Sequence, residues 1–278
     1  MESSLKSIVS LLDSPSTIAM GLDQLDYLLA QICLKPPSRQ QQQQQQSQQP
    51  QPQSKHRPHA AQTLANNELY IEFIRLQDGF QYNVATKLIT CLATVAFADD
   101  HERFGTSATN SHNYSSSSSA DLTVYVLELL QGLFLLHYQS RNLLSAESTM
   151  ALFLDLLTPE LDGNVHIAVV NTLVSGMVRE VRSIRRFELM GGLEVISRLF
   201  KMKETPKDVK LRILEFWFFY LVPETQKKPL PSHQPNDLNL RRTAEEKRNI
   251  LGKYLGNVNG LVQELNVSKP FGDMKHEW

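Results

Sequence analysis

Apolar residues recur at helical spacing along most of this chain, and no segment sustains the period-two alternation of a half-buried strand. Residues 2–13 and 17–34 form two such patterns, broken at Ser14-Pro15-Ser16; in the second, Ile18, Leu22, Leu25, Leu29 and Ile32 share a face. A further pair spans Asn67 to Phe80 and Tyr82 to Phe97, with Val84, Leu88, Leu92 and Val95 aligned. From Asp121, Leu122, Val126, Leu129, Leu130, Leu133 and Leu136 make an apolar face wide enough to predict a helix in the middle of a stack.

The punctuation is clearest between Ser183 and Glu224. A short helix ends at Gly191-Gly192, since paired glycines disfavour a helix interior and readily take the left-handed C-terminal conformation. A second helix from Leu193 to about Met202 puts Leu193, Ile196, Leu199 and Phe200 on one face. Thr205 is the expected N-cap of a third, with Pro206 at its first position. The layout recurs upstream: Met150, Leu152, Phe153, Leu156 and Leu157 fall 43 residues before Leu193, Val195, Ile196, Leu199 and Phe200. A period of about 40–47 residues belongs to armadillo and HEAT repeats. The expected fold is therefore all-α, an armadillo/HEAT-like solenoid of stacked helix pairs in one domain over 1–265, with a tail over 266–278.

Low-complexity stretches interrupt this pattern at 36–62, 103–120 and 226–242. Eleven of the fourteen residues from Gln40 to Gln53 are glutamine, a tract with nothing to bury that predicts a disordered loop. The second stretch ends in Ser115–Ser119, and the third is rich in proline and polar residues. Beyond it, Thr243-Ala244-Glu245-Glu246 is a capping-box signature for a final helix carrying Leu251, Tyr254, Leu255, Val258, Leu261, Val262 and Leu265. Gly252, Gly256 and Gly260 lie four apart on that helix, so a close backbone neighbour is expected, intolerant of a large side chain at Gly256.

Composition narrows the function classes. With 28 basic and 29 acidic side chains the net charge is −1, which lacks the basic excess of nucleic-acid-binding proteins. Two cysteines, Cys33 and Cys91, make no disulfide framework, and a reducing compartment is expected. Charges within residues 1–35 exclude a signal peptide, and no uninterrupted apolar run reaches transmembrane length, so no membrane insertion is expected.

Constellations that imitate catalytic or ligand sites do not survive inspection. Cys33 stands six residues before Arg39, as in cysteine phosphatases, but Pro36 and Pro37 remove N–H groups that such a loop needs to hold phosphate. Asp99-Asp100-His101-Glu102 has metal-ligand residue types without a partner cluster and fits a solvated helix end. His137 and His166 fit surface or satisfied core positions. Gly191-Gly192 lacks the lysine of a nucleotide loop, and the kinase signature set is missing. No enzyme, cofactor, metal or small-molecule substrate is expected.

Charge along the repeats is uneven. Asn142 to Val178 holds no lysine or arginine but includes Glu147, Asp155, Glu160 and Asp162, whereas Arg179 to Arg212 holds ten basic and five acidic residues. Such asymmetry serves docking more than stability. Arg182, Arg185 and Arg186 crowd the short helix before the glycine pair, and Lys210 follows on the third. These are candidate protein-binding residues; the competing reading ties Arg185 or Arg186 to Glu147 or Asp155 within the chain. The run Phe216-Trp217-Phe218-Phe219-Tyr220 encircles most of a helix, so most of it must be core, and Trp217 or Tyr220 would be contact residues only where exposed.

The motif Arg-Arg-Phe-Glu-x-x-Gly-Gly-Leu-Glu-x-Ile at 185–196, followed by Thr-Pro-x-x-Val-x-x-x-Ile-Leu-Glu-Phe-x-Phe-x-Tyr-Leu-x-Pro-Glu at 205–224, resembles the fungal cell division control protein 14 family. This family is the septation initiation network component, distinct from the phosphatase of the same name. The resemblance implies a non-catalytic partner and activator of a germinal-centre-class protein kinase, acting in the cytoplasm at spindle pole bodies to promote septum formation. The alternative from the repeat pattern is a general armadillo-type peptide-binding adaptor. Its usual ladder of Trp and Asn is missing, since Trp217 is the sole tryptophan within a repeat helix.

Overall fold

The computed structural model describes residues 1–34, 64, 67–97, 118–224 and 240–268. The glutamine tract, Arg39, Asp99–Glu102, Ser115–Ser117, most of the 226–242 stretch and the tail from 269 lie outside the described residues. Every regular element among the described residues is helical and none is a strand, as the periodicity predicts. Two compact units emerge, Met1–Cys91 and Leu92–Trp278.

In the first unit, α1 (Glu2–Leu12) and α2 (Ile18–Leu34) bury Leu5, Ile8 and Leu12 with Leu22, Leu25, Leu29 and Ile32. The predicted break between them is held by the Thr17 hydroxyl, which donates to the Leu11 carbonyl at 2.7 Å. Asn67 caps α3 (Glu68–Gln77) through the Leu69 N–H and also donates to the Ile32 carbonyl at 2.8 Å, so one amide starts one helix and fastens another. Buried Gln77 donates to the Tyr82 carbonyl and accepts from the Val84 N–H, turning the chain into α4 (Val84–Ala96). Cys91 is buried, donates to the Leu12 carbonyl, and burial pushes its thiol up to about 11.

The second unit carries the repeat. Its first long helix, α5 (Ser119–Leu136), starts earlier than the sequence pattern indicates: Ser118 and Asp121 form a capping box, so the last serines of the run begin the helix. This helix is long and apolar enough to cross a membrane. Here Val126, Leu127, Leu130, Leu133 and Phe134 are buried, and it packs on α7 (Gly163–Met177), whose Thr172 hydroxyl donates to the Leu127 carbonyl. Between them lie a 3-10 segment (Tyr138–Ser145) and α6 (Glu147–Asp155). Arg141 donates to the carbonyls of Phe134 and Val178, satisfying the ends of α5 and α7 with one guanidinium.

Next come α8 (Val181–Leu189), α9 (Gly192–Lys201) and α10 (Lys207–Leu221). The 43-residue offset relates all three elements to the 3-10 segment, α6 and α7 within three residues. Buried Met150, Phe153 and Leu156 correspond to buried Leu193, Ile196 and Leu199. Successive copies meet through Ser183, which donates to the Arg141 carbonyl, and Arg186, which donates to the Ser145 carbonyl. Gly191 takes the left-handed conformation the sequence requires, with φ at 79°. At Gly192 an added Cβ would run into the Phe187 ring, so the glycine pair serves both the turn and the packing behind it.

Two local expectations fail. Thr205 does not cap α10: its hydroxyl donates to the Leu199 carbonyl at 2.6 Å, closing the preceding helix, while Pro206 occupies the cap position. The final helix divides into α11 (Ala244–Leu251) and α12 (Val258–Ser268). The Thr243–Glu246 capping box forms as expected, but Gly252 ends α11 and Gly256 lies in the turn with no atom near an added Cβ. At Gly260 the nearest atoms to an added Cβ belong to the Asn257 side chain, three residues back, and not to another helix. The glycines therefore mark a break between helices, not a packed stripe.

Close approach occurs instead at Gly176, where a Cβ would collide with Leu144 and meet the Phe134 ring at 2.9 Å, both fully buried. Gly176→Ala is expected to lower unfolding free energy by about 1–3 kcal/mol, and Gly256→Ala to change it by less than about 0.5 kcal/mol. Urea unfolding of both variants checks this.

Candidate functional site

The positive charge of α8 is drawn largely inward. Arg185 projects beside Glu188, one turn along at 3.0 Å, and reaches Glu224 just past the end of α10 at 2.8 Å. Lys247 of α11, 1 % exposed, pairs with the same Glu224 oxygen at 2.6 Å and donates to the Val222 carbonyl at 2.9 Å. The second Glu224 oxygen accepts from the Arg242 N–H at 2.9 Å. Arg242 extends its guanidinium to Glu188 at 2.7 Å, where the Tyr220 hydroxyl also donates at 2.7 Å. The Lys247 ammonium stands 5.1 Å from the Tyr220 ring centre.

Three cations and two carboxylates thus share one buried site. The ladder continues outside it: Glu224 donates its N–H to the Arg242 carbonyl, Arg241 donates to the Glu224 carbonyl, and Arg185 donates to the Leu240 carbonyl. Residues 240–242, expected to belong to a loop, are therefore pinned against the end of α10. Burial pushes the Glu188 carboxyl above its ordinary value, opposed by Arg185, the Tyr220 hydroxyl and Arg242. Burial lowers Lys247, opposed chiefly by Glu224. It raises the Tyr220 phenol, with Glu188 adding to the effect, so that hydroxyl remains a donor.

The expected contact residues fare unevenly. Arg185 belongs to this buried cluster and is no surface contact. Arg186 lies 3.7 Å from Glu147, which realises the internal tie the sequence allowed, though Glu147 is largely exposed and the pair is weak. Arg182 is half-buried and engaged within the chain. Lys210 is half-buried on α10. Trp217 and Tyr220 are core residues, 0 % and 1 % exposed, because their helix is covered on both sides; Phe200 packs edge-on to Trp217 at 4.6 Å. The exposed large apolar residues of this region are Leu189, at the end of α8, and Leu211, on α10.

Glu188, Glu224, Arg242 and Lys247 escaped the sequence reading. Arg185 and Glu188 have the spacing of a helical ion pair, which was a legible signal. Glu224, Arg242 and Lys247 are separated by the proline-rich stretch, and nothing local marks their convergence. His137 and His166 are buried core residues, bonded to Ser140 and the Thr158 carbonyl, though the second ring nitrogen of His166, Nδ1, is buried without a partner. Among the described residues no group of His, Cys, Asp and Glu could hold a metal ion. The cluster has the form of a structural clasp.

Comparison with known proteins agrees with the motif at 185–224. The family described as "Cell division control protein 14, SIN component" matches residues 1–242. A protein named "Cell division control protein 14" from Schizosaccharomyces pombe (strain 972 / ATCC 24843) is 33 % identical over 202 residues, covering 73 % of this chain and 78 % of that protein. No solved structure matches.

Removing one partner of a buried ion pair strands the others. Glu224→Ala is expected to cost about 3–5 kcal/mol, whereas Lys247→Met, which fills the same space and leaves Glu224 with Arg185 and the Arg242 N–H, should cost less than half as much. Chemical denaturation distinguishes them. The raised Glu188 value also has a sign. Just above the ordinary carboxylate range the folded state binds more proton than the unfolded state, so this group's contribution to stability falls as pH rises. In unfolding measured from about pH 4 to about pH 7, Glu188→Gln should lose that downward component relative to the parent chain.

Proposed function

The chain belongs to the cell division control protein 14 family of SIN components, and from that premise we propose that it is a non-catalytic binding partner and activator of a germinal-centre-class protein kinase. It acts in the septation initiation network to promote septum formation, in the cytoplasm and at the spindle pole body. The observation that carries this reading is the family match over residues 1–242, which covers the first compact unit and most of the second. Two features of the second unit support it. The ionisable residues of the clasp are committed to one another and to backbone groups, an arrangement suited to rigidity rather than turnover. The exposed side of α8 and α9 offers Leu189, Glu194, Arg198 and Lys201 around a fixed glycine turn, a surface of mixed apolar and charged character suited to a protein partner.

Affinity purification of the full chain from its own cells, followed by mass spectrometry, is expected to recover one protein kinase of this class in stoichiometric amount. The purified kinase should phosphorylate a generic substrate faster when the chain is added, and the chain alone should transfer no phosphate. Recovery of many unrelated proteins at similar, substoichiometric levels would favour the general adaptor instead.

A further inference from the structure

Behind the α8–α9 turn, the second unit carries a cleft that the clasp does not use. Glu194, Ser197, Arg198, Lys201 and Met202 of α9 and its C-terminal end form one wall, and Lys253 and Tyr254, in the turn after α11, form the other. The cleft has a volume of about 610 Å³ and opens to the surface. Residues 194, 197, 198 and 201 share one face of α9 because they are spaced by helical turns. The walls are joined by the Lys201 ammonium, which donates to the Tyr254 carbonyl at 2.7 Å and keeps two further N–H donors.

Three cations face one carboxylate here. Arg198 and Lys253 are exposed and make no side-chain hydrogen bond or ion pair among the described residues, unlike the buried cations of the clasp. Ser197 lies deep in the α9 wall, 2 % exposed, and its hydroxyl has no hydrogen-bond partner within the chain. A buried hydroxyl left without a partner beside a cleft of excess positive charge is a position where a polar ligand would lower the free energy. Lys253 stands on the second wall in the turn that follows α11.

We propose that this cleft binds a phosphorylated serine or threonine in an extended segment of a partner protein. A dianionic phosphate matches the excess of two positive charges, and the Arg198 fork with two ammonium groups supplies charge-assisted donors from both walls. Glu194 opposes the anion at one edge and suits the peptide N–H groups that flank a phosphorylated residue. Three cations line the cleft, and the chain as a whole is slightly acidic. Both features favour a single phosphate on a peptide over the continuous basic track that a nucleic-acid backbone needs. The cleft shares Glu194, Arg198 and Lys201 with the surface offered to a protein partner above, but its test is separate from the kinase reading, because the assay contains only the purified chain and peptides.

The probe is a fluorescein-labelled degenerate peptide pool with phosphoserine or phosphothreonine at its centre, titrated with the full chain and followed by anisotropy. The phosphorylated pool is expected to bind at least about tenfold more tightly than its unphosphorylated counterpart and to weaken as salt is raised. Arg198→Glu with Lys253→Glu should abolish that preference while leaving the unfolding temperature unchanged, since both side chains are exposed and unpaired. Hydrogen exchange should show protection on binding at residues 197–202 and 253–254. Equal binding of the two pools would overturn the proposal, as would full binding by the double variant. So would equal or tighter binding of a glutamate-centred pool or of a single-stranded RNA oligomer.

Discussion

The C-terminal half of the second unit depends on Glu224. This one carboxylate follows the aromatic helix α10 and is 3 % exposed. It gathers Arg185 from α8, Lys247 from α11 and the backbone of Arg242 from the segment before α11. A buried carboxylate is tolerable only with such saturation, because the cost of removing it from water must be met by short, charge-assisted bonds. Its partners are equally constrained: Lys247 is as buried as the aromatic residues beside it and has Val222 and the Tyr220 ring as its other neighbours. Elements separated by the proline-rich stretch are thereby held in one register.

The clasp also orders the surface. Because Arg185, Glu188 and Tyr220 are paired inward, α8 presents Leu189 at the glycine turn. Gly191 and Gly192 then set where α9 begins, and hence which of its residues face outward. The cleft with Arg198, Lys201 and Lys253 follows from both constraints, α9 giving one wall and the turn after α11 the other. Positive charge in this half of the unit is therefore divided: Arg185 and Lys247 are buried in the clasp, whereas Arg198 and Lys253 are exposed.

Burial likewise divides the aromatic run. Trp217 and Tyr220 were conditional contact residues, and the packing of Phe200 and Phe187 around α10 makes them core. The same helix exposes Leu211, which no aromatic count would single out. Trp217 and Tyr220 therefore contribute to the core of this helix and not to its surface.

Much of the local structure was determined by the sequence itself. Helical period, the Ser14-Pro15-Ser16 break, the glycine pair, the Thr243 capping box and the 43-residue repeat all act over a few residues or through repetition, so a linear reading finds them. The family was legible for a related reason, since its motif lies in one uninterrupted stretch at 185–224. Tertiary structure alone decided where the charges went. Arg185 has an ordinary helical neighbour in Glu188, yet its burial depends on Glu224 and Leu240, 39 and 55 residues away. It also decided the fate of Thr205, whose hydroxyl donates to the Leu199 carbonyl instead of accepting from the first turn of α10, and of the glycines after Leu251, which interrupt a helix that their spacing seemed to line. In each case the outcome turned on which partner lay across the fold, and free energies of pairing and burial are set by that neighbour rather than by the residue's place in the chain.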